Sequence, residues 1–299
     1  KGNVVHGNNL DVYYPQWAYQ YLMFQTEGTI SLWAPYRYAG SPYQADVQSA
    51  LFYPPNILSF FFPPTAALNW SVMLHAIIGG MGMYLYLRAL KCSQGASLFG
   101  ATVFTYCGFM VVNVIIIIVF QSAVWLPWVM LGSHLAWERK DLRWTILGGV
   151  AYALCFLAGH TQVYYYVGLL LGLEAVWRAL FERTTLSEAS AAADAESKWS
   201  ESRSLKEARF SIRPFGPHSK RAVLIPLLIT TLSIALSAIQ FLPTAELSRF
   251  TTREGGMTIE ETQGGAWTWW HLQTVVNPMA LGADMREANL GKPHETTYA

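Results

Sequence analysis

The chain has 299 residues, 53% of them hydrophobic and 14% aromatic, with only 13% charged, roughly half the charge of a soluble domain. That balance excludes an ordinary water-surrounded globule and fits a protein whose solvent is partly lipid. A net charge of +1 gives no field of one sign to recruit nucleic acid.

The sequence opens on Lys1 without a methionine and closes at Ala299 without a terminating element, which reads as part of a longer polytopic protein. Residues 1–64 read as a loop region lying along the membrane interface. Asp11-Val12-Tyr13-Tyr14-Pro15 opens it. A carboxylate there, followed by aromatic rings, is either a general base facing the membrane edge or a helix N-cap. The run from Leu32 to Asn56 then carries four prolines and repeated Trp, Tyr and Phe, which exclude a regular crossing helix and suit an ordered interfacial loop. Asp46 and Gln48 are its candidate ligand-facing groups, with plain surface exposure as the alternative.

Apolar windows of about bilayer-crossing length follow at 66–88, 96–112, 118–137, 143–159, 163–181 and 222–241. Val114–Phe120 is almost purely β-branched, yet it runs without a charge into Ala123–Trp137, so a helix is expected. The spans contain little ionisable beyond His75, His134 and Glu174, most of it near ends, which argues against a transporter. Gly159-His160-Thr161-Gln162 separates two windows and predicts a tight helical hairpin. His160 and Gln162 at its tip either bind a phosphate or hydroxyl or satisfy helix-end backbone groups. Residues 184–220 are rich in Ser, Ala and alternating charge, as a flexible cytoplasmic loop would be. Pro243 marks the end of the sixth window. Beyond it Glu246, Arg249 and Arg253 share one face if helical, and His271 follows in a Trp-rich run. Those arginines suit a phosphate clamp or a mutual ion pair on a solvated face.

Cys92, Cys107 and Cys155 lie in or beside apolar runs at unrelated spacings, which fit buried hydrophobes rather than a metal site or a disulfide frame. The histidines lack the spacing of a zinc site. No cofactor is called for, and nothing in the spacing supports a divalent metal.

Fourteen of the 20 Lys and Arg residues fall between Arg88 and Lys91, between Arg139 and Arg143, and between Arg178 and Arg221. These are alternate connections of a six-crossing chain. By the positive-inside rule they are cytoplasmic, and 1–64 and 243–299 are extracytoplasmic. The expected plan is therefore an all-α polytopic membrane protein with about six transmembrane helices. Five lie within 65–183 and the sixth within 221–242, on either side of the cytoplasmic loop.

Several short motifs recur in order: Asp11 with Tyr14-Pro15, Leu32-Trp33-x-Pro35-Tyr36, Gly40-x-Pro42, and Gln48-Ser49-Ala50-x-Phe52-Tyr53-Pro54-x-Asn56. Then come Gly108-Phe109-Met110, Trp125-Leu126-Pro127-Trp128, Ala158-Gly159-His160-x-Gln162 and Leu242-Pro243-Thr244-x-Glu246. As an ordered set running from Asp11 to beyond Trp270, they resemble the bacterial YfhO-like membrane proteins, relatives of the GT-C glycosyltransferases. The resemblance implies an inner-membrane enzyme that takes sugar from a polyprenyl-phosphate donor at the outer face. In that superfamily an acidic residue of the first outer loop serves as base, and Asp11 occupies the corresponding place. Arg249, Arg253 or His160 would then stabilise the departing phosphate on grounds of chemistry and position. The implied partners are membrane lipids and the lipid-linked sugar. The competing expectation is a non-catalytic integral subunit held in a larger membrane complex.

Overall fold

A computed structural model of the chain describes residues 9–35, 40–181 and 217–250. The chain divides into two units, Lys1–Leu247 and Ser248–Ala299, and of the second only Ser248–Phe250 are described. The expected cytoplasmic loop, Arg253 and His271 lie outside the described residues.

The described residues are mostly helical. The interfacial region contains a helix that the sequence reading left as loop, α1 (Tyr14–Glu27). Pro15 suits its first turn, where an N–H would be unpaired anyway. Gly28 ends it in the left-handed conformation, φ 64°, its N–H bonded to Phe24 O. The helix buries Gln16, Trp17 and Gln20, and the Gln20 amide pairs with both backbone groups of Ser31. A two-residue ribbon follows, β1 (Trp33–Ala34) antiparallel to β2 (Ser41–Pro42), with Trp33 opposite Pro42. The prolines then confine the chain to short 3₁₀ turns and to α2 (Leu58–Phe61). Phe24 of α1 packs on Phe60 and Phe61, at centroid distances of 5.6 and 5.2 Å.

The apolar windows become α3 (Pro64–Ala89), α4 (Gln94–Tyr106), α5 (Gly108–Val112), α6 (Ile117–Ala123), α7 (Leu126–Glu138), α8 (Trp144–Leu157) and α9 (Thr161–Phe181). The last window becomes α10 (Pro217–Leu236) and α11 (Ala238–Ser248). Three stretches are long and apolar enough to cross a membrane: 64–89, 94–115 and 117–138. A fourth is added if α10 and α11, bent by 75°, count as one. The stretch 117–138 is central, with 78% of its span buried, against 22% and 17% for the other two. In α3 the buried residues Ala67, Leu68, Ser71, His75, Gly79 and Gly82 form one seam, spaced by three and four as a single helix face requires. Trp70, Met73, Ile77 and Met81 are exposed, an apolar face that water would penalise and hydrocarbon would not.

Close backbone approach holds the centre together. A Cβ on Gly132 of α7 would stand 2.4 Å from Gly148 N on α8, and one on Gly148 would stand 2.8 Å from Ile229 Cδ1 on α10. Small residues allow the van der Waals contact that holds helices together where lipid removes the hydrophobic drive. Cys155 is buried, while Cys92 and Cys107 are only half-buried. The expectation of three buried cysteines holds for Cys155 alone, because the other two sit at or beside helix ends.

At the end of the bundle opposite the α8–α9 hairpin, Arg178 is not a loop residue as its place in the charge count implied. It lies on α9, buried, with Nη2 donating to Glu174 Oε1 at 2.5 Å. Ser133 donates to the other carboxylate oxygen at 2.7 Å, and the guanidinium lies over the Trp137 ring at 5.1 Å. Arg139 stacks on Trp144 at 4.6 Å.

Candidate functional site

The proline-rich loop is fixed by a buried polar network. Trp125 Nε1–H donates to Tyr53 Oη at 2.7 Å, so the tyrosine proton is free for His75 Nε2, also at 2.7 Å. His75 Nδ1–H donates to Ser71 O at 2.6 Å. A carbonyl only accepts, so this contact sets the tautomer. Gln121 Nε2 spends both protons, on Asn56 Oδ1 at 2.7 Å and Ser71 Oγ at 2.8 Å. Asn56 Nδ2 returns to Ala50 O at 3.3 Å, and Ser59 Oγ donates to Asn56 O at 2.8 Å. Loop residues 50–59 are thereby tied to α3 and α6. Burial pushes the Tyr53 phenol well above the ordinary tyrosine range, against the opposing effect of the Trp125 bond, so it remains a donor. Tyr53→Phe leaves the Trp125 and His75 nitrogens unpaired. The expected loss is about 1–3 kcal/mol per orphaned group, read from thermal unfolding in detergent.

This network is what sequence reasoning missed. His75 lies midway along α3 and fully buried, not near a span end. The usable signal was the pair His75 and Gln121, each a polar group inside an apolar run.

Three of the predicted segments meet at one end of the bundle. Asp46 Oδ1 accepts from Gln48 N at 3.0 Å, starting the 3₁₀ turn Val47–Ser49, and Gln48 itself is exposed. The hairpin tip forms as expected, with Gly159 at φ 101° and so close to this turn that a Cβ would stand 2.9 Å from Val47 O. On the other side, Gln240 Nε2 donates to Gln44 O at 2.9 Å and Thr244 Oγ1 to Ala45 O at 2.8 Å. The loop is thus held between the α8–α9 hairpin and α11. Glu246 lies exposed on α11, two residues past Thr244.

His160 caps α9, its Nδ1 accepting from Val163 N at 3.3 Å, and Gln162 Nε2 donates to Tyr166 Oη at 2.6 Å. Burial lowers the His160 pKa. The unfolded chain therefore takes up the proton first, and stability is lost as pH falls below the ordinary value of about 6.5. His160→Asn retains a capping side chain and is expected to remove that part of the pH dependence of Tm.

Asp11 sits exposed in a π-helical turn, Asn9–Tyr13. It is not an N-cap: that position belongs to Tyr13, which makes no side-chain cap. The turn is anchored by buried Asn9, whose Nδ2 donates to Val114 O at 2.8 Å and whose Oδ1 accepts from Ile117 N at 3.0 Å. These are backbone groups freed where the helix breaks at Asn113–Ile116. One residue further, Ile118 Cγ2 lies 3.3 Å from the Cβ position of Gly159, so Asp11's anchor and the hairpin tip share this end.

One expectation about the last helix is corrected. The break falls at Ser237, between α10 and α11, while Pro243 lies inside α11. Pro243 falls in the second turn of α11, so the N–H it lacks removes one intrahelical bond without ending the helix. The helix ends at Ser248, and Arg249 follows it in a turn. Among the described residues no group of three or more His, Cys, Asp or Glu side chains is placed to hold a metal ion. Compared with known proteins, the chain matches no family model, no curated protein and no solved structure.

Proposed function

We propose that the chain is a membrane glycosyltransferase of the GT-C kind, related to the YfhO-like proteins. It would transfer sugar from a polyprenyl-phosphate donor to an extracytoplasmic hydroxyl at the bacterial inner membrane. On this reading all six windows cross the bilayer, and the end bearing Asp11, the loop and the hairpin tip faces outward. The observation that carries the proposal is the exposed Asp11 carboxylate on a turn pinned through Asn9 to the helix break. A base must be exposed to reach its substrate and rigid to meet it in one geometry. Asp11 takes the proton of the acceptor hydroxyl, whose oxygen bonds to the anomeric carbon. The bond from that carbon to the phosphate oxygen breaks on the opposite face, and polyprenyl phosphate leaves with the electron pair. The configuration inverts. His160, Arg249 and Arg253 are the candidates for stabilising the leaving phosphate, and Glu246 and His271 for binding sugar hydroxyls.

A second reading, a non-catalytic subunit of a membrane complex, is favoured by a different observation. Asp46, His160 and Gln162 each spend a hydrogen bond within the chain, as a structural cap would. The test is transfer from labelled polyprenyl-phosphate sugars in membranes, with the wild type and Asp11→Asn expressed equally. Transfer by the wild type alone supports the enzyme. Absence of transfer by either supports the subunit, and equal transfer by both removes Asp11 from the mechanism.

A further inference from the structure

Pro226 lies inside α10. It has no N–H, so the carbonyl of Ala222, one turn earlier, loses its helical donor. Ala222 and Pro226 line a small cavity together with Ser133, Ala175 and Arg178, and its volume is about 10 Å³, close to the room one water molecule needs. Arg178 Nη1 is buried there without a partner, although its Nη2 serves Glu174. Ser133 has given its one proton to Glu174 Oε2, which leaves its oxygen free to accept. The cavity is therefore bordered by an unsatisfied donor and by acceptors lacking donors.

We infer that a single structural water occupies this cavity, accepting from Arg178 Nη1 and donating to Ala222 O and Ser133 Oγ. Water is the one class of occupant that fits. A polyatomic anion is too large, any anion would meet the Glu174 carboxylate, and an apolar atom would leave Nη1 unpaired. Three partners match the usual coordination of internal water. The water joins α9, α7 and α10 at the proline, where α10 lacks one of its own hydrogen bonds. This site is independent of the proposed transferase chemistry.

The test is X-ray hydroxyl-radical footprinting of the full chain in detergent, which marks side chains beside bound water even when they are buried. Ile225 and Leu171 line the cavity, whereas Ile229 does not, and all three are buried. Labelling of Ile225 and Leu171 severalfold above Ile229 is expected, and labelling no higher than at Ile229 overturns the inference. Ala175→Val fills the space. It is expected to bring the labelling down to the Ile229 level and to lower Tm by about 2–4 °C as Nη1 loses its partner. A rise in Tm instead would mean that the added methyl groups displace no bound water, and would overturn the inference equally.

Discussion

Asp11→Asn is expected to cut sugar transfer by about 10²–10⁴-fold, the usual contribution of a general base, without altering the fold. Asparagine keeps the size and shape of the side chain and removes only its capacity to take a proton. Because Asp11 is exposed and caps no helix, the change should move stability by no more than about 0.5 kcal/mol. The loss should fall on kcat, since proton removal belongs to the transition state and not to ground-state binding. Asn9→Ala makes an instructive comparison. It strands Val114 O and Ile117 N, so both Tm and transfer should fall together. Steady-state transfer measured beside thermal unfolding separates the two outcomes. An Asp11→Asn chain that transfers at the wild-type rate would end the base assignment.

The second large effect is structural. Gly132→Ala places a methyl group 2.4 Å from Gly148 N, 2.6 Å from Gly148 Cα and 3.0 Å from Trp144 O. All three are backbone atoms of α8 or its first turn, so no side chain can rotate away and the two helices must separate. A loss of about 3 kcal/mol, the upper end for overpacking, is expected. Gly149→Ala meets the Leu232 side chain, Cδ2 at 2.7 Å and Cβ at 2.9 Å; Cδ2 can swing away while Cβ needs only a small backbone shift, and about 1–2 kcal/mol is expected there. Thermal unfolding of both variants in the same detergent tests the order. If Gly132→Ala unfolds at the wild-type temperature, the α7–α8 crossing is looser than its backbone contacts require.

The apolar windows and the hairpin at Gly159 were legible because each is a local signal: a long uncharged run, or a glycine between two such runs. The proline-rich loop was legible as irregular for the same reason. Helix α1 was not, because it buries Gln16, Trp17 and Gln20, a polar and aromatic face that no apolar period reveals. Arg178 was read as loop charge because its neutralising contacts come from α7 as well as from Glu174 on α9 itself. Asp11's exposure and the anchor at Asn9 depend on a helix break more than a hundred residues away. Cysteines illustrate the limit: spacing excluded a metal frame, but burial followed from helix ends that the sequence did not mark.

The hydrogen bonds around Tyr53 all point one way. The indole of Trp125 starts the series, the phenol and the imidazole each pass the direction on, and the carbonyl of Ser71 ends it. An indole N–H does not surrender its proton under ordinary conditions, and an amide carbonyl does not keep one. The series therefore has neither a source nor a sink. Four polar groups in the middle of an apolar bundle resemble a proton wire, yet both ends are closed. They act as a mechanical fastening between the loop, α3 and α7, and not as a path for protons.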